Sequence, residues 1–132
     1  MTTRILVMVS AAIEVAAGVA LIAVPDAVAR VLLGVGLSEA GVAVGRVGGF
    51  GLLSLGLAYW PRSGGATPPS LRGLFAYNLL AGLYFGYLRI GGGFTGPLLW
   101  PACVLHVLLA LLMARPAYES FLAVRAAGAS ES

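Results

Sequence analysis

One carboxylate lies near the middle of an apolar run that extends from Ile5 to Val24. Glu14 stands there within the stretch Ala-Ala-Ile-Glu-Val-Ala-Ala-Gly. A carboxyl group in such a place can bind a proton or a cation, and an ionisable residue inside a membrane helix is by default a candidate functional group. Three more strongly polar residues lie in other apolar runs, and four hydroxyls accompany them. These are Arg46, Asn78 and His106, with Ser10, Ser54, Tyr77 and Tyr84.

The cost of burying a charge predicts where Glu14 points. A charge at the centre of a bilayer costs about 2.5 to 3.5 kcal/mol on insertion scales, so we expect Glu14 to face the interior of a helix bundle. Arg46 or His106 could then lie close enough to pair with it. Two roles stay open for Glu14. It is either a proton or cation site, or a buried hydrogen-bonding group that fixes helix register or pairs with another subunit.

Other chemistries find little support in the sequence. A single histidine, His106, offers one axial ligand for haem, where a second protein ligand is usual. Cys103 shares a helical face with His106, but no hydrolase framework accompanies the pair. The chain has no zinc-ligand spacing, GxSxG motif, P-loop or dinucleotide fingerprint. The sequence therefore predicts a protein that is not an enzyme and has no metal or cofactor.

The composition indicates a membrane protein. Of the 132 residues, 60% are hydrophobic and 10% are charged, whereas a soluble domain has about 25% charged residues. All eight basic residues are arginines, dispersed singly along the chain. Such dispersion does not form a nucleic-acid patch and is typical of charges that flank membrane spans.

Four apolar segments are long enough to cross a bilayer, which takes about 20 helical residues. Backbone groups in hydrocarbon need partners within their own segment, so each span must be a helix. The first segment also resembles a secretory signal, because Arg4 precedes the apolar run and Ala27-Val28-Ala29 follows it. We expect a retained helix. The prediction is one all-α membrane domain, a four-helix bundle with spans at about 5–24, 42–60, 71–90 and 97–114, a short interfacial helix within 25–37, and a polar C-terminal tail at 115–132.

The arginines predict an orientation. Four spans place both termini and the loop between spans two and three on one side. That side has five arginines and the other has three, so the positive-inside rule puts the termini in the cytoplasm of a bacterium, with the spans in its inner membrane. The five are Arg4, Arg62, Arg72, Arg115 and Arg125, and the three are Arg30, Arg46 and Arg89.

Small residues recur four positions apart and predict close helix packing. Such faces let two helix backbones approach each other in lipid. The spacing does not distinguish packing within the chain from packing against a partner. The residues are Gly41, Gly45 and Gly49 in span two, Gly82 and Gly86 in span three, and Ala12, Ala16 and Ala20 in span one.

Two resemblances follow from these residues. The four-helix plan, with Glu14 in the sequence Ala12-Ile13-Glu14-Val15, is similar to the small multidrug resistance transporters. That resemblance implies a carboxylate that binds protons and cationic substrates in turn. Over most of the chain, the pattern resembles uncharacterised small bacterial four-helix membrane proteins, a resemblance that implies architecture but no activity. Its motifs are Gly18 to Pro25, Leu33-Gly34, Gly45-Arg46-Val47-Gly48-Gly49 and Leu52 to Tyr59.

The predicted function is an accessory or scaffold subunit. Small-residue faces are abundant and catalytic constellations are missing, so we expect the protein to contact membrane lipids and to pack against a larger membrane complex or against itself. The alternative is a small proton-coupled transporter that uses Glu14, with His106 and Asn78 along the path. A third hypothesis is a protein that binds, or acts on, a lipid or quinone between the helices.

Overall fold

Five helices make up the part of the chain that the structure describes. A computed structural model describes residues 2–60 and 68–130. The helices are α1 (Thr3–Ala23), α2 (Pro25–Leu33), α3 (Glu39–Ala58), α4 (Pro68–Ile90) and α5 (Leu99–Ser130). The all-α prediction is confirmed. Of the loop predicted from Pro61 to Ser70, residues 61–67 lie outside the described residues, and the last three belong to α4.

The short helix predicted within 25–37 is present as α2. Pro25 occupies its first turn, where a missing N–H costs nothing. Arg30 Nε donates to Asp26 Oδ2 at 2.8 Å across one helical turn, and Gly34 ends the helix in the left-handed conformation with φ 83°. Ser38 then caps α3 by accepting a hydrogen bond from the Gly41 N–H at 3.2 Å. The local sequence therefore accounts for both ends of this connection.

Three helices are long and apolar enough to cross a membrane: Thr3–Ala23, Glu39–Ala58 and Leu99–Ala123. The third predicted span, α4, has 23 residues but is not among them. Asn78, Arg89 and several tyrosines lower its hydropathy. Large apolar side chains are nevertheless exposed on α4 as on the other helices, and Leu80 and Ile90 are 67% and 80% exposed. Contiguous apolar surface of this kind marks a membrane or protein contact.

The long helices pack as two antiparallel pairs, α1 with α3 and α4 with α5. Glycines set the spacing in both pairs. A Cβ atom on Gly49 would lie 2.8 Å from the Gly18 carbonyl oxygen, and one on Gly56 would lie 2.7 Å from the Ala11 carbonyl oxygen. In the second pair, a Cβ atom on Gly82 would lie 2.8 Å from Val107 Cγ2. Gly49 and Gly82 therefore pack helices within the chain.

The other predicted small residues make looser or different contacts. A Cβ atom on Gly41 would meet Leu37, which belongs to the preceding loop, and one on Gly45 would meet Pro25 at the start of α2. Gly86 is in ordinary contact distance of the Cys103 sulfur. Ala12 and Ala16 are exposed. The face of α1 that meets α3 contains Gly18 and not Ala12 or Ala16. The close contacts between these two helices are therefore made by Gly18, Gly49 and Gly56.

The two pairs meet through α1. Near its start, α1 contributes Leu6 and Val7 to an apolar cluster with Leu71, Leu74 and Met113. Toward the opposite end, α2 is tied to the segment before α5, because the Leu98 N–H donates to the Val31 carbonyl oxygen at 2.9 Å. α1 is therefore the helix that positions side chains between the two pairs.

Most of the segment predicted as a polar C-terminal tail, 115–132, is helical and continues α5. The fourth predicted span, 97–114, begins as a helix at Leu99, and that helix continues without a break to Ser130, with Pro116 inside it. Arg115 and Glu119 form an ion pair at 2.9 Å across one turn. The following residues are rich in alanine, which has the highest helix propensity, so the helix does not end where the apolar run ends.

Candidate functional site

Five polar residues from three helices meet in the interior of the bundle. Ser10 and Glu14 are one turn apart on α1, and both are fully buried because that face of α1 turns toward α4 and α5. Asn78 on α4 is also fully buried, and His106 on α5 is 7% exposed. The half-buried Tyr77 lies beside them. We call Ser10, Glu14, Tyr77, Asn78 and His106 the polar cluster.

Asn78 connects all three helices. Its Nδ2 donates to Ser10 Oγ and to the Leu74 carbonyl oxygen, both at 2.8 Å. Both amide hydrogens are thereby used, so Oδ1 can only accept. Oδ1 lies 2.8 Å from His106 Nδ1, and the hydrogen-bond network therefore assigns a hydrogen to Nδ1. In the neutral ring, Nε2 is left as a free acceptor.

Aromatic rings hold His106 in place. The Tyr77 ring meets it edge-on, with ring centroids 5.8 Å apart and planes at 80°. Phe85 lies on another side with centroids 5.5 Å apart. These contacts and the Nδ1 hydrogen bond fix the orientation of the imidazole. In the same helix pair, the Cys103 thiol donates to the Gly82 carbonyl oxygen at 3.4 Å, as expected of a packing residue.

Glu14 differs from the rest of the polar cluster because its carboxyl group accepts no hydrogen bond that meets the usual geometry. Neither carboxyl oxygen is at hydrogen-bonding distance and angle from any group among residues 2–60 and 68–130. The Tyr77 hydroxyl interacts with this carboxyl without completing a hydrogen bond in this conformation. A buried polar group without a hydrogen bond costs free energy. Such groups are rare in native proteins, and each calls for a specific cause.

Arg46 does not belong to the polar cluster, and the Glu14–Arg46 contact that the sequence left open is not formed in the described chain. Its side chain is exposed and lines a pocket beside Pro25 and Asp26. Arg46 precedes Gly49, which packs beside Gly18, so the antiparallel arrangement of α1 and α3 places it near the end of α1 rather than near Glu14. His106 binds Asn78, and the geometry shows no hydrogen bond from it to Glu14 within the described chain.

The sequence identified Glu14, Asn78 and His106 as candidates, and the structure brings them together. It named Ser10 and Tyr77 as accompanying hydroxyls without a specific role. Their positions in the sequence could have indicated that they join the polar cluster, because Ser10 precedes Glu14 by one helical turn and Tyr77 is next to Asn78. Ser54 and Tyr84, the other two hydroxyls, are exposed and outside the polar cluster.

The polar cluster lies between the two helix pairs. Ser10 and Glu14 come from the pair α1/α3, and Tyr77, Asn78 and His106 come from the pair α4/α5. Within the described residues, no group of three metal-binding side chains occurs. The side chains of the polar cluster can form hydrogen bonds, and the carboxyl group of Glu14 and the imidazole of His106 can bind a proton.

Comparison with known proteins adds no family to this geometry. The chain matches no protein-family model, no curated protein and no solved structure.

Proposed function

We propose that this protein is a small proton-coupled transporter in which Glu14 binds the coupling proton. The observation that supports the proposal is a fully buried carboxyl group without a hydrogen-bond partner, located between two helix pairs. Substrate sites of many transporters lie near the bilayer midplane between two halves that move against each other. Because an ionisable residue is costly to bury in a membrane, the residues of this kind that occur there commonly mark proton or substrate paths.

The proposed setting is a bacterial inner membrane with four spans and both termini in the cytoplasm. The length and apolar composition of α1, α3 and α5 support three spans. For α4, the support is its length of 23 residues together with its exposed apolar side chains. The five-to-three arginine distribution supports the orientation. The orientation is tested with a C-terminal fusion to a reporter that is active only in the cytoplasm. We expect this fusion to be active.

The mechanism follows from the cost of burying charge. A neutral carboxyl is far less costly in a dry interior than a carboxylate, so the closed conformation suits protonated Glu14. If the two helix pairs separate, water reaches Glu14, the proton leaves, and the carboxylate can bind a cationic solute. The Ser10 and Tyr77 hydroxyls can donate to that carboxylate. Asn78 keeps α1, α4 and α5 in register while they move.

The test is cation uptake coupled to proton release. Purified protein in liposomes with an entrapped pH-sensitive dye is exposed to the lipophilic cation tetraphenylphosphonium under an imposed pH gradient. Wild-type protein should exchange cation for proton, and Glu14→Gln should reduce the exchange to the background of empty liposomes. The matched control is Glu39→Gln, since Glu39 is an exposed carboxylate in the first turn of α3, and it should leave the exchange unchanged.

Two results would contradict the transporter proposal. One is full exchange by a well-folded Glu14→Gln protein, because glutamine cannot release a proton. The other is an equal loss of exchange in Glu39→Gln, which would show that any lost carboxylate acts nonspecifically. Thermal unfolding in detergent, measured on every variant, separates loss of transport from loss of fold.

A second candidate is the accessory or scaffold subunit, and the outer face of α3 favours it. A Cβ atom added to Gly48 or Gly51 would meet nothing within 4 Å, and Val44 and Val47 are 72% and 66% exposed. Small residues on an exposed span allow close approach of another membrane helix. Gly49 and Gly82 pack against helices of the same chain and are not available to a partner. The exposed face of α3 with Gly48 and Gly51 is therefore the surface that this candidate function would use.

The scaffold candidate is tested by purification in mild detergent. Gly48→Leu should release a bound partner or dissociate an oligomer, while Leu111→Ile on the exposed surface of α5 should not. A wild-type protein that runs as a lone monomer in mild detergent contradicts this candidate. That outcome leaves the transporter proposal unaffected, because the polar cluster lies within one chain.

A further inference from the structure

A second site lies at the other end of α1, outside the polar cluster. A surface pocket of about 290 Å³ opens where α1 meets α2 and where α3 passes them. Ala23, Val24 and Val42 supply apolar walls, and Arg46 supplies the cation. Gly45 allows α3 to approach α2 here, since a Cβ atom on it would lie 3.2 Å from Pro25 Cβ. The pocket therefore combines apolar walls with a single guanidinium.

The charge of Arg46 is not neutralised by the neighbouring carboxylate. Asp26 also lines the pocket, but its Oδ2 accepts from Arg30 Nε at 2.8 Å and its Oδ1 accepts from the Leu37 N–H at 2.7 Å. The Arg30 hydrogen bond, followed by that of the Leu37 N–H, holds the pKa of Asp26 below its usual value. The ion pairs of the described chain join Arg30 to Asp26 and Arg115 to Glu119, so Arg46 is left free to bind an anion.

The position of Arg46 along α3 suits a group that lies at the boundary of a membrane. Arg46 follows the first residue of α3, Glu39, by two helical turns, which is roughly 10 Å of rise. A long arginine side chain at that depth extends toward the interface while its methylenes stay in apolar surroundings. Val24 and Val47, which flank the region, are 53% and 66% exposed. An occupant must therefore present an anion at the interface and apolar chains next to it.

We propose that this pocket binds the phosphate of a phospholipid headgroup through Arg46. A guanidinium can donate two parallel hydrogen bonds to phosphate oxygens, which makes arginine the preferred residue for phosphate. The apolar walls receive the glycerol and the upper acyl chain. Because the Asp26 carboxylate is held by Arg30 and by the Leu37 N–H, Arg46 gives the pocket a positive charge without an ion-pair partner. This site is independent of the proposed transport function.

The test compares a lipid that carries phosphate with one that lacks it. Native mass spectrometry of the purified protein in detergent, titrated with dioleoyl-phosphatidylglycerol, should show a saturable adduct, while dioleoylglycerol should give none. Arg46→Gln should weaken phosphatidylglycerol binding about tenfold, equivalent to about 1.4 kcal/mol, and Arg46→Lys should recover part of it. The matched control is Arg89→Gln, which removes an arginine from the last turn of α4 and should leave binding unchanged.

A second variant tests the pocket without changing any charge. Ala27 lines the pocket and is exposed, so Ala27→Phe should fill the space, keep the fold and reduce the adduct. Retention of wild-type binding by both Arg46→Gln and Ala27→Phe would overturn the proposal. An equal loss in Arg89→Gln would do the same, because binding would then reflect net charge. Displacement of the lipid by equimolar inorganic phosphate would assign the site to the free ion and reject a lipid.

Discussion

Glu14 and Arg46 are both ionisable residues of apolar helices, and the structure gives them opposite surroundings. Glu14 is fully buried, and its carboxyl oxygens have no hydrogen-bond partner in the described chain. Arg46 makes no ion pair there either, but its side chain is exposed beside a pocket. The short side chain of Glu14, near the middle of α1, cannot leave the interior, whereas the long side chain of Arg46, two turns into α3, can reach the surface.

This difference separates two ways of accommodating a charge in an apolar helix. Arg46 avoids the cost of burial by reaching outward, which leaves it available to a headgroup. Glu14 avoids the cost only if it binds a proton or a ligand. An unpaired ionisable group is therefore a candidate for chemistry in the interior and a candidate for lipid contact at the rim.

The largest effect on stability is expected at Asn78, whose hydrogen bonds connect α1, α4 and α5. Asn78→Leu leaves the His106 Nδ1–H without its acceptor and removes the link to Ser10. The free energy of unfolding should fall by about 2 to 3 kcal/mol, because an unsatisfied buried donor costs its desolvation in addition to the lost bonds. Denaturant unfolding in detergent measures the change. If Asn78→Leu lowers the free energy of unfolding no more than Arg46→Leu does, the buried polar cluster contributes no more to stability than the exposed Arg46.

A change of opposite sign is expected at Glu14. Glu14→Leu replaces an unpaired buried carboxyl with an apolar side chain, so the free energy of unfolding should rise by about 1 to 2 kcal/mol. The same variant should lose cation-proton exchange, as proteins often give up stability at functional sites. Thermal unfolding and liposome exchange are measured on one preparation. Destabilisation by Glu14→Leu would mean that Glu14 has a structural partner and would favour the role in fixing helix register.

Arg46 should be nearly neutral by the same two measurements. Arg46→Gln should change the free energy of unfolding by less than about 0.5 kcal/mol, since exposed substitutions away from special contacts have small effects. Cation-proton exchange should stay within a factor of about two of wild type. A loss of exchange as large as that of Glu14→Gln would place Arg46 in the transport path and contradict its separation from the polar cluster.

The smallest effect concerns Asp26, next to the Arg46 pocket. Because the Arg30 hydrogen bond lowers the pKa of Asp26, the unfolded chain binds more protons than the folded one between the two pKa values. The contribution of Asp26 to the free energy of unfolding is therefore complete above the pKa of the unfolded chain, about 3.9. This contribution declines as the pH falls through the pKa of the folded protein. Unfolding of wild type and Asp26→Asn is compared from pH 7 to pH 3. A stability difference that does not shrink toward pH 3 would contradict this assignment.

Helix positions were predictable because they depend on local chemistry. The apolar run of α1 and the proline and the Asp26–Arg30 pair of α2 all act on neighbouring residues. The end of α5 was missed because hydropathy reports where an apolar run stops, while helix propensity decides where the helix stops. The same distinction explains α4, a long helix whose Asn78 and tyrosines make it less apolar than the other three.

Helix packing was only partly predictable, since spacing identifies a face but not its neighbour. Four-residue spacing included Gly49 and Gly82, which do pack against helices, and also Gly41 and Gly45, which contact a loop and a proline. Gly18 and Gly56 make equally close approaches without belonging to any predicted repeat. Each contact depends on how two helices are rotated against each other, and this rotation is a property of the whole bundle.

The sequence by itself determined that apolar helices dominate this protein and that Glu14, Asn78 and His106 are costly to leave in lipid. Those conclusions depend on residue type and on distance along one helix. Only the tertiary structure decided that Ser10 and His106 share Asn78, that Glu14 is left without a hydrogen bond, and that Arg46 lies at the rim. Partners on different helices are set by rotation and antiparallel register, which no single segment contains.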